Sequence, residues 1–393
     1  MIELEKQARQ NFQLQFKRNP DIVVKAPGRI NIIGEHTDYT GGFVLPAAIE
    51  NYMVLACAPN TGNSFRLHSS NFKETVTFSS EIKEKNSSHW SNYFKGVLQA
   101  FQNRGFQVPA IDVVLLGNVP QGAGLSSSAA YEVACAFLFN ELCQAKLSSK
   151  ELALIAQESE VKYIGVACGI MDQLVSACAQ KDNALLLDCS NLAIEQVPLK
   201  LEDHGLEFVI IHSGVERQLE NSAYNQRRKE CEEALALLKS PNYRSLNSQS
   251  LNNFRQTLDS PIVNIPIKRA RHIILENERV LACVQALQHN DYATVGKLMK
   301  QSHNSLKDDF EVSLRSVDLL VNLLNAQAGV LGSRMIGAGF GGCVLAIAKV
   351  GVAQEIEPQI KDLYFKQTKL AAQFMIVKSG NGAGITAQTY NSK

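Results

Sequence analysis

The chain has 393 residues, 45% hydrophobic and 20% charged, a balance ordinary for a soluble globular protein of one large domain or two smaller ones. Its 39 Lys and Arg against 38 Asp and Glu leave a formal charge of +1, which gives no electrostatic basis for nucleic acid or a membrane surface as the main partner. Nine cysteines, an odd count with no C-x-x-C pair, argue against a disulfide framework or a structural zinc site. The polar N-terminal segment lacks the apolar core of a signal peptide, and no stretch approaches the roughly 20 apolar residues that span a bilayer. A cytoplasmic, enzyme-sized protein is expected.

Short apolar runs at 22–24, 43–45, 53–58 and 111–116, rich in β-branched residues and bounded by turn formers, predict strands. From 129 to 145 the pattern changes to Ala, Leu, Phe and Cys with polar residues on one face, the signature of a mostly buried helix. Ser148 and Glu151 have capping-box spacing for a further helix, running to about Tyr163. After strand-like runs at 184–187 and 208–211 helical periodicity dominates, at 225–238, 267–287, 292–306 and 312–328. Strands at 343–348 and 372–377, separated by an amphipathic stretch over 353–371, close the chain. Strands and helices mixed without strict βαβ alternation predict α+β layers, with a domain boundary near residue 204 where the helical character rises.

Two glycine-rich runs stand out. Gly122, Ala123, Gly124, Leu125, Ser126, Ser127 and Ser128 lie between a strand and a helix, where a helix N-terminus, flexible backbone and three hydroxyls can cradle a phosphate. The run lacks the lysine of the Walker A sequence, which disfavours a P-loop NTPase, and a Gly-Ser turn with a serine N-cap is the bland alternative. The second run, 337–342, has spacing like G-x-G-x-x-G but leads into a strand, so it supports a nicotinamide site only weakly; a tight bend between packed backbones fits it as well.

Charge is concentrated between Gly28 and Tyr39, where Arg29, Glu35, His36 and Asp38 sit among Ile30, Ile32 and Ile33. Such a loop can fix a polyhydroxylated ligand through many hydrogen bonds, and its guanidinium can neutralise a carboxylate or phosphoryl group. A solvated loop with one internal ion pair is the alternative. His36 has no second histidine at metal-ligand spacing. Asp172, a lone acid among apolar neighbours, can be a general base paired with Arg29 or a surface acid on a helix. Glu160 is open between an exposed helix acid and a Mg²⁺ ligand.

Taken together, GRINIIGEHTDYTGGFVLP at 28–46, PQGAGLSSSAA at 120–130 and RMIGAGFGGC at 334–343 resemble the three motifs of the GHMP kinase superfamily, and within it those of the galactokinases. CGIMDQ at 168–173, YNQRRKECEE at 224–233 and HNSLKDDFEVS at 303–313 extend the similarity across nearly the whole chain. The resemblance implies a two-domain α+β fold, with an S5-like N-terminal domain over 1–204, a ferredoxin-like C-terminal domain over 205–393 and the active site in the cleft between them. It implies ATP-dependent phosphorylation of the C1 hydroxyl of α-D-galactose, the entry to the Leloir pathway, by a monomer or weak oligomer. It assigns the sugar to Glu35, His36, Thr37, Asp38 and Tyr224, the ATP phosphates to Gly122 through Ser128, and Mg²⁺ to Ser128 and Glu160. Asp172 becomes the catalytic base and Arg29 the group that orients it, while Ser69 and Trp90 fall near the adenine.

Two departures mark the third motif. Ile336 stands where the family has Thr and Ala338 where it has Gly, which places a β-branched side chain and a methyl group near the expected substrate and predicts a modest effect on KM. Galactose sensors of the same family do not turn over, but Ser128-Ala129, Asp172 and Arg29 are all present and favour catalysis. A relative acting on N-acetylgalactosamine or another sugar is the runner-up among enzymes; the EHTDYTGG segment favours galactose and disfavours mevalonate or homoserine.

Overall fold

A computed structural model describes residues 3–82, 85, 89–120, 122–215, 220–255 and 264–388; Gln121 of the second motif lies outside them. In chain order the first part runs through α1 (Glu3–Phe16), β1 (Ile22–Asn31), β2 (Phe43–Val44), β3 (Pro46–Pro59), β4 (Ser64–Ser69), β5 (Glu74–Ser79), α2 (His89–Gln102) and β6 (Ile111–Gly117). It continues with α3 (Ser127–Cys143), α4 (Ser149–Glu158), α5 (Met171–Cys178), β7 (Asn183–Asp188) and β8 (Ala193–Pro198). The second part holds β9 (Leu206–His212), α6 (Glu220–Leu237), α7 (Ser248–Arg255), α8 (Asn264–Gln288), α9 (Tyr292–Asp308) and α10 (Arg315–Asn325). It ends with β10 (Val330–Ile336), β11 (Cys343–Lys349), α11 (Val352–Thr368), β12 (Gln373–Val377) and β13 (Gly384–Gln388).

A six-stranded sheet in the order β13-β1-β3-β6-β4-β5 is antiparallel except where β4 runs parallel to β6. Both faces of its central strands β1, β3 and β6 are covered, which explains why Ile22 to Val24 at the start of β1 read as an unbroken apolar run. Ile22, Val24 and Ala26 belong to the large core that includes α2 to α5, whereas Val23 packs with Ala8 and Phe12 of α1. A four-stranded antiparallel sheet, β10-β11-β9-β12, is likewise buried on both sides at β9, β10 and β11. Phe208 and Ile210 of β9 face that same core, while Val209 and Ile211 alternate into a second one with α8 to α11. The chain's last described strand, β13, returns to pair with β1.

The helices follow local chemistry. Ser148 and Glu151 form the expected capping box, Ser148 N–H donating to Glu151 at 2.8 Å and Glu151 N–H to Ser148 Oγ at 3.3 Å. The α-helix stops at Glu158, however, and residues Ser159–Ile164 form a π-helical turn ended by left-handed Gly165, an irregularity found preferentially at functional sites. The helix expected over 312–328 is shorter, running over Arg315–Asn325 because Leu314 before it is extended. The run 337–342 joins β10 to β11, with Phe340 N–H on the Val312 carbonyl at 2.8 Å and no room for a side chain at Gly339. That is the tight bend between packed backbones, not a dinucleotide turn.

Candidate active site

The first motif is the end of β1 and the loop that leaves it. Gly28 allows β1 to lie against the second motif: a Cβ there would stand 2.8 Å from the Leu125 carbonyl, which accepts Arg29 N–H at 3.1 Å. Ile32 and Ile33, both fully buried, anchor the chain before it turns at Gly34, whose φ of +103° and crowded Cβ position admit glycine alone. His36 itself is left-handed, φ 65°. Its Nε2 lies 3.1 Å from the Ala338 carbonyl, so Nε2 carries the proton, and Nδ1 accepts from the Tyr39 hydroxyl at 3.0 Å. Burial, followed by the nearby His272, pushes the His36 pKa down to about 3, which fits this neutral tautomer. Glu35 accepts Gly337 N–H at 2.9 Å and lies 3.6 Å from Arg334. The third motif thus clamps Glu35 and His36 through its backbone.

Around the second motif the chain is left-handed at Gly122, Gly124 and Ser126. Ser126 precedes α3 but makes no side-chain cap bond; its hydroxyl donates to Asp172. The serine-cap alternative therefore fails, and the α3 N-terminus is left for an anion. Asp172, in the first turn of α5, forms a bidentate pair with Arg29, Nε to Oδ1 and Nη2 to Oδ2 both at 2.9 Å. Arg29 also donates to the Gly124 carbonyl. The Asp172 side chain keeps 30% of its surface exposed against 7% for Arg29, so it is an open acid on a buried guanidinium and not a solvated surface residue.

Glu160 sits on the π-turn, bonded by Gln173 Nε2 at 2.6 Å and Ser128 Oγ at 3.3 Å; burial and then Asp172 raise its pKa. Asp38 keeps some surface open to the cavity, yet burial, and after it Asp172, moves its pKa up to about 7. Any side chain at Gly169 would overlap its carboxylate.

These groups meet in one cavity of about 440 Å³, lined by Arg29, Glu35, His36, Asp38, Glu160, Asp172 and Tyr224, and by Gly122, Gly124, Leu125, Ser126, Ser127 and Ser128. Tyr224 joins His36 and Tyr39 in an aromatic cluster with ring centroids 5.7 and 5.2 Å away. Not every expected residue is there. Thr37 is fully buried, its hydroxyl held between the carbonyls of Gly34 (2.8 Å) and Phe43 (2.6 Å), so it shapes the loop instead of facing the cavity. Ala123 is buried outside the lining. Ser69 is buried with its hydroxyl accepting Phe72 N–H at 3.3 Å, and Trp90 donates to Glu74 at 2.7 Å; neither lines the cavity. Ile336 lies in the core, away from the lining, whereas Ala338 lines it. The sequence reading missed Tyr93 and Met171 in the wall and the role of Gly169. Only Gly169 carried a signal, a glycine three positions before the candidate acid Asp172.

A model described as the galactokinase galactose-binding signature matches residues 10–59, and models of the GHMP kinase N-terminal and C-terminal domains match 92–180 and 283–365. A galactokinase of Thermotoga neapolitana is 43% identical over 359 residues, 91% of this chain and 98% of that relative. The chain belongs to the galactokinase family. A galactokinase of a Roseiflexus species is 39% identical over 381 residues, 96% of both chains. The crystal structure of Lactococcus lactis galactokinase complexed with galactose superposes with a TM-score of 0.90 at 31% identity, covering 96% of this chain and 99% of that one. As a galactokinase the chain is a sugar kinase, transferring phosphate to an alcohol with ATP as donor, on the α+β GHMP kinase fold. Among the described residues no helix is long and apolar enough to cross a membrane.

Proposed function

We propose that the cavity phosphorylates the C1 hydroxyl of α-D-galactose, with Asp172 as the base and Arg29 as its partner. The observation that supports this most directly is the bidentate Arg29–Asp172 pair, set where the sugar loop and the phosphate loop converge, with Ser126 on the same carboxylate. Phosphoryl transfer asks for in-line placement and charge neutralisation more than for covalent chemistry. Asp172 accepts the C1 proton as the oxygen attacks. Arg29, fixed also by Gly124, keeps that carboxylate aimed and offsets negative charge developing between acceptor and donor. Glu35, His36, Asp38 and Tyr224 hold the sugar hydroxyls; Thr37 holds the loop and not the sugar.

The run from Gly122 to Ser128 and the α3 N-terminus take the ATP phosphates, which unsatisfied backbone N–H groups at a helix start can bind. Ser128 and Glu160 are the residues for Mg²⁺. Both are hard oxygen donors, and the raised pKa of Glu160, from burial and then from Asp172, marks a carboxylate whose charge a cation would offset. Among the described residues no group of three His, Cys, Asp or Glu could hold a metal unaided. Mg²⁺ commonly takes one or two protein oxygens beside substrate phosphates and water, so the pair fits it. When bound it supplies positive charge to the transferring phosphoryl oxygens. We place the domain boundary near residue 204, between β8 and β9, and the enzyme in the cytoplasm, where nine free cysteines stay reduced.

A coupled ADP-release assay with Mg-ATP and D-galactose, N-acetylgalactosamine, glucose or no sugar tests the proposal. Release with galactose that disappears in Asp172→Asn is expected; equal release with and without sugar, or near-normal turnover in Asp172→Asn, overturns it.

A further inference from the structure

The sugar loop has a second set of supports, on a helix that does not touch the reacting groups. Between Gly34 and Phe43 the backbone leaves β1 and has few sheet partners for its polar groups, so each must be satisfied elsewhere. Three of them are taken by neighbouring side chains of α8. Gly34 N–H donates to Glu276 Oε1 at 3.0 Å. His272 Nε2 lies 3.0 Å from the Glu35 carbonyl and therefore carries the proton it donates. Phe43 N–H donates to Asn277 Oδ1 at 2.8 Å, and Gly42 leaves no space for a side chain against that same oxygen.

We infer that α8 sets the shape of the sugar loop and that His272, Glu276 and Asn277 are positioning residues for galactose. Two of the three are themselves locked. Glu276 is fully buried and accepts from Arg279 Nε at 2.7 Å and from Ser302 Oγ at 2.6 Å; His272 is fully buried with Nδ1 3.0 Å from Ser305 Oγ. Burial opposes charge on Glu276, but Arg279 leads a set of cations that outweighs it and holds the pKa at about 2. The carboxylate at the back of the loop is therefore permanently charged at neutral pH, and its acceptor for Gly34 is constant. Among the described residues neither Asp172 nor Arg29 is bonded to α8, so its influence falls on the sugar and not on the chemical step.

The inference rests on the galactose reading and is tested beside it. Asn277 is the accessible point of attack, 8% exposed at the rim of the network. In Asn277→Ala the Phe43 N–H loses its acceptor, and the galactose Kd by calorimetry and the galactose KM are expected to rise about tenfold, with kcat and the ATP KM changing less than about twofold. Asn277→Asp keeps an oxygen at the same place and is expected to restore most of the affinity. His272→Gln, which keeps a donor for the Glu35 carbonyl, serves as a second variant and is expected to bind galactose more tightly than His272→Ala. A folded Asn277→Ala with an unchanged galactose KM, or one in which the galactose and ATP KM rise together, overturns the inference alone. A wild type that releases no ADP with galactose overturns the galactose reading and the inference with it.

Discussion

On one side of the cavity the backbone from Gly34 to Phe43 is held from behind by α8 and from the flank by the third motif, so that Glu35, His36 and Thr37 are all nearly inaccessible. On the other side the run from Gly122 to Ser128 is part-exposed, left-handed at three positions, and tied through Arg29 to the Gly124 and Leu125 carbonyls, Ser126 to Asp172 and Ser128 to Glu160. The difference matches what each side must recognise. A neutral polyol is told apart by hydroxyl positions alone, which demands donors and acceptors fixed before it arrives. A polyphosphate is held by charge and backbone N–H groups, which tolerates a looser frame.

Asp172 is where the two sides join, and breaking that joint has the largest expected effect. Asp172→Asn leaves Arg29 buried against a neutral amide and removes the proposed base, so kcat is expected to fall by about 10² to 10⁴. Galactose affinity by calorimetry should change far less, because Glu35 and His36 keep their own supports. A fall in galactose affinity as large as the fall in kcat would mean that the sugar side is not built independently of the joint.

Asp38 tests the cost of a fixed sugar side. Folding moves its pKa from the ordinary 3.8 up to about 7, through burial first and Asp172 second. The folded protein thus binds this proton more tightly than the unfolded chain does. Its contribution to stability is full below about pH 4 and is lost as pH rises to about 7. Asp38→Asn removes that loss, so above pH 7 the ligand-free variant should melt at a higher temperature than the wild type, while its galactose affinity falls about a hundredfold. His36 acts with the opposite sign: its pKa is lowered to about 3, so its contribution is present above 6.5 and declines as pH falls. Melting curves of both proteins from pH 4.5 to 8 check the signs; a gap that does not widen between pH 5 and 7 counts against a buried, charged Asp38. Gly169→Ala, whose Cβ would overlap the Asp38 carboxylate, should raise the galactose KM by about tenfold with little change in the ATP KM.

Much of this architecture was legible, for reasons that separate the two sides again. Glycine and charge density mark both loops, since a backbone brought close to a ligand and a cluster of acids are visible without a partner. The Arg29–Asp172 pair spans 143 positions, and composition left Asp172 open between a base and a surface acid; only its fellow motifs resolved it. β4 and β5 carry alternation at Phe65 and Leu67 and at Val76 and Phe78, but in frames too short and polar to stand out. The α8 supports were illegible in kind. His272, Glu276 and Asn277 look like polar positions of an amphipathic helix, and what they bond is backbone, which has no sequence. The π-turn that carries Glu160 has no pattern of its own either.

The third motif gives the smallest effects, and separating its two departures shows which of them faces the sugar. Ile336 pairs with Cys343 in the β10–β11 ladder and is fully buried in the core, so Ile336→Thr puts a hydroxyl into apolar packing. A loss of about 1 to 3 kcal/mol of stability is expected, with the galactose KM unmoved. Ala338 lines the cavity, and its carbonyl fixes the His36 tautomer. Ala338→Gly leaves that carbonyl in place but frees the backbone around it, so the galactose KM should rise by no more than about threefold, with melting temperature lowered slightly. Steady-state kinetics and melting of the two single variants distinguish them. If Ile336→Thr moves the galactose KM and Ala338→Gly does not, the clamp on His36 is not what the third motif contributes, and the fixed side of the cavity depends on core packing behind it.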